Sequence, residues 1–515
     1  MMKKITLILL LISSSFLSAQ VGSLDVDFGD NGKVITSING NEKGYGIAMQ
    51  SDAKIVIAGY SNDPTFGENF ICIRYNTDGS LDTSFGNGGI VSTDVQLGSD
   101  DRAKSVVIQN DGKIILAGHS DNGSDRDAAI VRYNTDGSLD TSFGNGGIVL
   151  TDFENNQQDL VNRVRIHNLT GNIIIGGETV INSTTSKPVL ARYTSNGSLD
   201  TSFNSTGIRL LWITSLDYQY KFSLEDFQVK TNGKITAIGW RDFINLSWSS
   251  DYWACQVNTN GTMDTTFSTD GVNTYNGSFN GHDRAFSMLF RNNGNILLSG
   301  AGYVDDLQYD VTAFELTSSG GVATPYTRIE YNTQIIPQDF CYGMAEDSNN
   351  EYILVGSSGN TSNKSITLSR LNSDLSLDTD FGTSGKVINN FDSNSLNEAF
   401  DVTIQADGKI VLVGYTGNNI VVARYETEDS LSVEEFANTS VSVYPNPTRD
   451  FLNISLNNYS YNKGTIVLYS TVGSKILEQK IDSQKVSLEE LKTGMYVYEL
   501  FLDNKLVKRG KVIKQ

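Results

Sequence analysis

Short uninterrupted apolar runs recur along the chain, as at 55–58 (IVIA), 114–117 (IILA) and 410–413 (IVLV). A strand with one face in water alternates apolar and polar residues, whereas a strand covered on both faces need not. Each run is followed by a glycine, and that glycine appears seven times, at Gly59, Gly118, Gly177, Gly239, Gly300, Gly356 and Gly414, about sixty residues apart. Around the second of these the pattern predicts four strands, at 89–93, 103–109, 113–117 and 128–133. Asn110-Asp111-Gly112 turns the chain between the second and third, because glycine accepts the positive φ of a tight hairpin.

A second marker keeps the same period. LDTSFGNGGIV stands verbatim at 81–91 and 139–149, and weaker copies begin at Leu24, Leu199, Met263 and Leu377. The doubled gap between Met263 and Leu377 places a decayed copy at 319–331. Seven antiparallel units with doubly covered strands fit radial blades, and a closed ring removes the end surfaces that an open stack must cap. The expected fold is all-β: a seven-bladed β-propeller over residues 20–425, each Gly59-type glycine ending a third strand. An elongated β-solenoid is the rival. In a four-stranded meander the first-to-second and third-to-fourth loops share one face of the disc. Those loops are the variable ones here, near Asp63, Asp121 and Asn182, whereas the other face repeats. The unit, LD-x-x-FG-x-x-G with DGKI-x-x-x-G, resembles the delta-60 repeat over residues 24–425. That resemblance implies a β-propeller of largely unknown function and carries no chemistry.

The pattern changes after 425. An acidic linker, ETEDSLSVEE, occupies 426–435, and 436–515 reads as short alternating strands between Gly, Asn and Lys turns, suggesting a small C-terminal β-sandwich. Pro445 and Pro447 fix φ and remove donors at its entry. This segment resembles the C-terminal sorting domain of type IX secretion cargo of Bacteroidetes-type bacteria. The residues that carry the resemblance are Tyr444, Pro445, Asn446 and Pro447; Tyr469 and Gly473; Gly494 and Tyr496; and the basic terminal strand with Lys508, Lys511 and Lys514. It implies passage through an outer-membrane translocon, then removal of the domain by a sortase-like peptidase, often with attachment of the product to surface lipopolysaccharide. At the other end, Lys3 and Lys4, an apolar run at 5–12 and Leu17-Ser18-Ala19 form the three parts of a secretory signal, giving 1–19 as a signal peptide. The expected address is outside the cell or on the outer surface of a Gram-negative bacterium.

Forty-eight glycines against six prolines agree with a turn-rich β protein. The net charge is −20, yet residues 436–515 hold eleven Lys/Arg against seven Asp/Glu, so the body is more acidic than the whole. Such a body repels nucleic acid and anionic lipid. The apolar run at 5–12 is too short to span a bilayer, and no other stretch approaches the roughly 18 apolar residues of a membrane span. Cys72, Cys255 and Cys341 are odd in number, lack metal-ligand spacing and read as buried thiols.

Chemistry is sparse. His119, His167 and His282 lie in different repeats, and there is no G-x-S-x-G elbow, P-loop or Rossmann fingerprint. No cofactor or metal site is expected, although the oxygen-rich turn Asn76, Asp78, Ser80, Asp82 has a calcium-like look. The repeated Asp82, Asp140, Asp200, Asp264 and Asp378, with Arg74, Arg132, Arg192, Arg370 and Arg424, read as scaffold pairs. All four tryptophans, Trp212, Trp240, Trp248 and Trp253, fall in the fourth unit. Trp240 and Trp248 flank its third-to-fourth loop. With Tyr218 and Tyr220 they form the candidate ligand-binding set, since exposed aromatics suit sugar stacking or a protein hot spot; Trp253 reads as core. The expected function is a non-enzymatic surface propeller that binds a glycan or a protein. A secreted hydrolase with an unrecognised site and a structural envelope protein are the alternatives.

Overall fold

A computed structural model describes residues 21–427 and 440–515, apart from 66, 97, 155, 212–219, 244–249, 277–280, 306–307, 324–325, 332–336, 394, 445, 458–462, 471–474, 482–484 and 503–504. The signal segment 1–19 and most of the 426–435 linker lie outside the described residues. The chain divides into two compact units, Met1–Ser430 and Leu431–Gln515. The described residues contain strands and turns and no helix.

The first unit is a ring of four-stranded antiparallel sheets. Blade 1 takes, outward from the axis, Glu42–Met49, Ile55–Asp63, Gly67–Tyr75 and Ile90–Thr93. The innermost strands of the next six blades are Asp101–Ile108, Gln158–Ile166, Tyr220–Val229, Arg284–Phe290, Gln338–Glu346 and Asn397–Ile404. Each packs on the next, and the seventh packs on the first, closing seven blades around a channel. The apolar runs are the second strands. Ile55, Val56, Ile57 and Ala58 are wholly buried, with Val56 and Ala58 in one interblade core and Ile55 and Ile57 in its neighbour. Burial on both faces explains why these strands do not alternate.

The grouping of strands differs from the sequence expectation. The strand expected to open the second unit, Ile90–Thr93, pairs with Gly67–Tyr75 and completes blade 1. The repeat is thus permuted by one strand against the blade. Its first copy is left over at the N-terminus, where Lys33–Thr36 pairs with Asn419–Tyr425 as the outer strand of blade 7. Leu24 bridges Tyr425, as Leu81 bridges Tyr75 and Leu139 bridges Tyr133. In the decayed copy Val322 makes the same bridge to Leu316, and Thr327–Ile329 still forms the outer strand.

The repeated Asp and Arg are staples between blades. Arg132 Nε donates to Asp140 Oδ2 at 2.7 Å, and its Nη1 reaches the Ser195 carbonyl of the next repeat at 2.5 Å. Arg74 reaches the Thr135 carbonyl and Arg192 that of Thr259 in the same way. At the seam Arg424 pairs with Asp25 and reaches the Thr77 carbonyl, so the N-terminal segment locks the last blade to the first. Desolvation raises the Asp140 pKa, but bonds from Lys113 and Ser142 and the Arg132 charge outweigh it and hold this carboxyl below the ordinary range. Blade 5 swaps the charges, with Glu315 in the arginine position bound by Arg291 at 2.8 Å.

The second unit has a sheet of Ser440–Tyr444, Phe451–Asn457 and Lys485–Ser487, and a sheet of Gly464–Ser470, Lys475–Lys480, Gly494–Leu502 and Lys505–Lys514. Leu452, Ile454 and Val486 from the first sheet share one core with Ile466, Leu468, Leu500 and Val512 from the second.

Candidate functional site

The marker glycines lead to the site. Gly59 stands in mid-strand, not at a strand end, and a Cβ placed on it would lie 2.0 Å from the Lys43 carbonyl oxygen of the innermost strand. The other six approach their inner strands as closely, at 1.8–1.9 Å. Only glycine lets the backbones meet there, and beside each meeting point the inner strand carries a β-bulge. The extra residues are Tyr45, Lys104, Asn162, Glu225, Phe286, Tyr342 and Phe400, one per blade. All seven, with Arg163, line a single cavity of about 190 Å³ in the channel. Except for Arg163, these residues are half-buried.

The ring has two unlike sides. Blades 5, 6, 7 and 1 supply an aromatic arc: Phe286 lies 5.2 Å from Tyr342, Tyr342 5.2 Å from Phe400, and Phe400 4.7 Å from Tyr45. Blades 2, 3 and 4 supply Lys104, Asn162 and Glu225. The Lys104 ammonium stands 3.5 Å over the Tyr45 ring, where the two arcs meet. Desolvation, then Arg102 and Lys43, push its pKa down to about 7. Glu225 Oε1 accepts from Ser223 Oγ at 2.8 Å and from the Trp240 indole N–H at 2.7 Å, and desolvation raises its pKa.

Arg163 bars the channel beneath this ring. From blade 3 it reaches Asp401 of blade 7 at 3.7 Å and the Tyr342 carbonyl of blade 6 at 3.4 Å, with Asp226 of blade 4 at 3.7 Å. Below it a second cavity of about 370 Å³, lined by Met49, Ile108, Arg165, Ile166, Gln228 and others, opens toward the repetitive face. Above the ring the mouth is rich in ionisable groups. Arg102 is paired with Glu68 and lies 5.1 Å over Tyr60. Tyr415 Oη donates to Glu398 at 2.6 Å, and Lys364 also pairs with Glu398. Glu178 is buried between blades 3 and 4, where desolvation and then Glu225 push it up to about 8.

Of the candidate tryptophans, Trp248 falls outside the described residues, as do Trp212 and Tyr218. Trp240 is half-buried on the second strand of blade 4, its N–H on Glu225 and the Arg284 guanidinium 4.5 Å over its ring. It supports the channel wall at the mouth. Tyr220 is half-buried beneath Arg241, 5.2 Å away. Trp253 is fully buried. The oxygens of the Asn76–Asp82 turn are engaged by its own donors, Asp78 Oδ1 by Ser80 and Asp82 Oδ1 by Ser84. The seven channel residues were missed. Their signal was spacing: each stands fourteen residues before its marker glycine, fifteen in the third unit.

In the second unit the two halves of the sorting motif meet. Asn446 Nδ2 donates to the Lys511 carbonyl at 2.8 Å, and its Oδ1 accepts from the Ile513 N–H at 2.9 Å. Thr448 exchanges backbone bonds with Ile513 and Gln515. The early turn therefore clasps the terminal basic strand. Tyr496, in Gly494–Leu502, is half-buried and donates to the Lys492 carbonyl at 2.8 Å. Pro447 and Tyr444 are exposed, Lys508 half-buried, Lys511 exposed and Lys514 buried, whereas Pro445 and Gly473 lie outside the described residues.

Fold and motifs together define a secreted β-propeller with an export tail. The chain carries repeats of the domain of unknown function DUF5122 beta-propeller at 50–85, 109–143, 170–203, 230–267 and 405–431, and a secretion system C-terminal sorting domain, of type IX, at 442–515. That tail marks it for the cell surface or the extracellular space. It is 32% identical over 87 residues to an ulvan lyase of Nonlabens ulvanivorans, a match that covers 16% of each chain. Among solved structures it is similar to PorZ, a surface component of the type IX secretion system of Porphyromonas gingivalis, with 11% identity and a TM-score of 0.39 over 91% of this chain and 59% of that one. It is also similar to the polysaccharide lyase Uly1, with 12% identity and a TM-score of 0.41 over 81% of this chain and 94% of that one. The chain thus spans about a sixth of the curated relative's length and three-fifths of PorZ.

Proposed function

We propose that this protein is a surface-displayed glycan-binding propeller whose channel cavity takes one sugar ring. The observation that supports the reading is the two-sided bulge ring. Aromatic faces on one wall suit the apolar face of a sugar, and Lys104, Asn162 and Glu225 on the other suit its hydroxyls; a mostly apolar pocket with a few placed polar groups is the usual form of a small-ligand site. Size agrees: a cavity of about 150 Å³ accepts a benzene ring, so about 190 Å³ holds one six-membered ring. A glycan array probed with the full chain and with Phe400→Ala tests it. The expected result is one family of glycans bound by the former and lost by the latter; no binding to any glycan would end the reading.

Export belongs to the same proposal. A signal peptide at 1–19 delivers the chain to the periplasm, and the tail engages the type IX translocon. A sortase-like peptidase then removes the tail, with attachment to surface lipopolysaccharide. Deleting 440–515 should leave the protein in the periplasm, as fractionation would show; normal surface display of the shortened chain would refute it.

A second reading, catalysis on the bound sugar, has one observation in its favour. Lys104, with its pKa near 7, is poised as a proton acceptor beside the raised carboxyl of Glu225. Release of new chain ends from a polysaccharide by the full chain, and its loss in Lys104→Gln, would establish it.

A further inference from the structure

Two cations line the channel cavity with donor capacity unused among the described residues. Arg74, Arg132, Arg192 and Arg424 each hold a carboxylate and a carbonyl, and at the mouth Arg102 has Glu68 and Lys364 has Glu398. Lys104 makes no hydrogen bond and no ion pair among the described residues, and its ammonium stands over the face of Tyr45. Arg163 is only 8% exposed, yet its Nε has no hydrogen-bond partner, and Asp226 and Asp401 both stand off at 3.7 Å. Buried donors are almost always satisfied, so a spare guanidinium N–H and a spare ammonium lining one cavity suit an acceptor that enters from outside the chain. The single carboxylate of the lining, Glu225, turns one oxygen to Ser223 and Trp240 and bonds neither cation among the described residues.

We propose that the sugar bound in the channel carries an acidic group, a carboxylate or a sulfate, which Lys104 and Arg163 recognise at the base of the cavity. The inference rests on the reading of this cavity as a sugar site. A planar guanidinium matches the paired oxygens of either group, and the ammonium adds a point charge. The surrounding field agrees. Desolvation, then Arg102 and Lys43, depress the Lys104 charge, while Glu225 and Glu68, the acidic groups that face it, do not fully restore it. An arriving anion would do so, taking up a proton as it binds.

The test is calorimetric titration of the full chain with glucose, glucuronate and glucose 6-sulfate at pH 6.5, after a glycan array has established that sugars bind. At least one acidic probe should bind tenfold or more tighter than glucose, and which one does so separates carboxylate from sulfate. The preference should shrink toward unity in Lys104→Gln and in Arg163→Lys, and again in the unaltered chain as the pH rises from 6 to 8.5. Arg163 spans the channel, so its variant could fail to fold; Lys104→Gln, which breaks no ion pair, then decides. Equal affinity for glucose and both acids, or a preference that survives Lys104→Gln, would overturn the inference and leave the sugar reading standing. An array on which nothing binds would remove both.

Discussion

The repetitive face and the channel belong to the same seven units, yet they treat repetition in opposite ways. At the repetitive face blades 1, 2, 3 and 7 make the same staple, arginine on aspartate and then on a carbonyl of the next repeat, and blade 6 keeps the Arg370–Asp378 pair. Where blade 5 departs, Glu315 and Arg291 rebuild an ion pair with the charges exchanged. In the channel the backbone is equally regular, with a glycine and a bulge in every blade, but the seven projected side chains are two tyrosines, two phenylalanines, a lysine, an asparagine and a glutamate. Repeated backbone with unrepeated side chains marks a position held constant in space and free in chemistry. Scaffold and site are thereby separated within one sixty-residue unit.

That separation can be broken at four strengths. Gly118→Ala should be the most damaging, because its Cβ would sit 1.9 Å from the Arg102 carbonyl oxygen. Folding should fail or lose several kcal/mol by denaturant titration, on the order of the larger core defects. Arg132→Ala comes next. It leaves Asp140 to Lys113 and Ser142 and takes the donor from the Ser195 carbonyl, a change costing about 1–3 kcal/mol, and binding per folded molecule should be untouched. Phe400→Ala should do the reverse, weakening glycan binding about tenfold or more with only a modest fall in melting temperature. Trp240→Phe, which frees Glu225 of one donor, should cost about 1 kcal/mol of stability and shift binding only a few-fold.

Stability against pH sharpens the same contrast. The staple carboxylates have depressed pKa values, so they contribute stability above the unfolded value of 3.8 that is lost as pH falls through it. Glu178, Asp159 and Asp339 are pushed up by desolvation to about 8, 7 and 6. Each keeps a proton in the fold that the unfolded chain has released, so stability declines as pH rises from the unfolded values, 3.8 to 4.5, toward about 8. Melting temperature should therefore peak near pH 5, and Glu178→Gln should flatten the decline on its alkaline side. A melting temperature that climbs steadily to pH 7 would contradict the assignment.

Much of the scaffold was legible because it repeats. The glycine period points to seven copies, the apolar runs to doubly covered strands, and the recurring Arg and Asp to scaffold pairs. The blade boundary was not legible, since a repeat read from sequence has no natural start. Only the pairing of Lys33–Thr36 with Asn419–Tyr425 shows that the first copy completes the last blade. The site was hidden for a different reason. Trp240 and Trp248 stand out because every tryptophan falls in one unit and these two bracket a loop, while Tyr45, Phe286, Tyr342 and Phe400 are common residue types distinguished only by a glycine fourteen positions later. A β-bulge has no composition of its own, and its cause lies in the partner strand.

The account turns on where the ligand sits. A crystal structure of the full chain with the strongest glycan from the array would place it most directly. The account predicts a single sugar ring inside the channel, its apolar face against Phe400 and Tyr342 and its polar edge toward Lys104 and Asn162, above the Arg163 bar. A glycan lying instead on the outer loops, with the channel residues untouched, would contradict it.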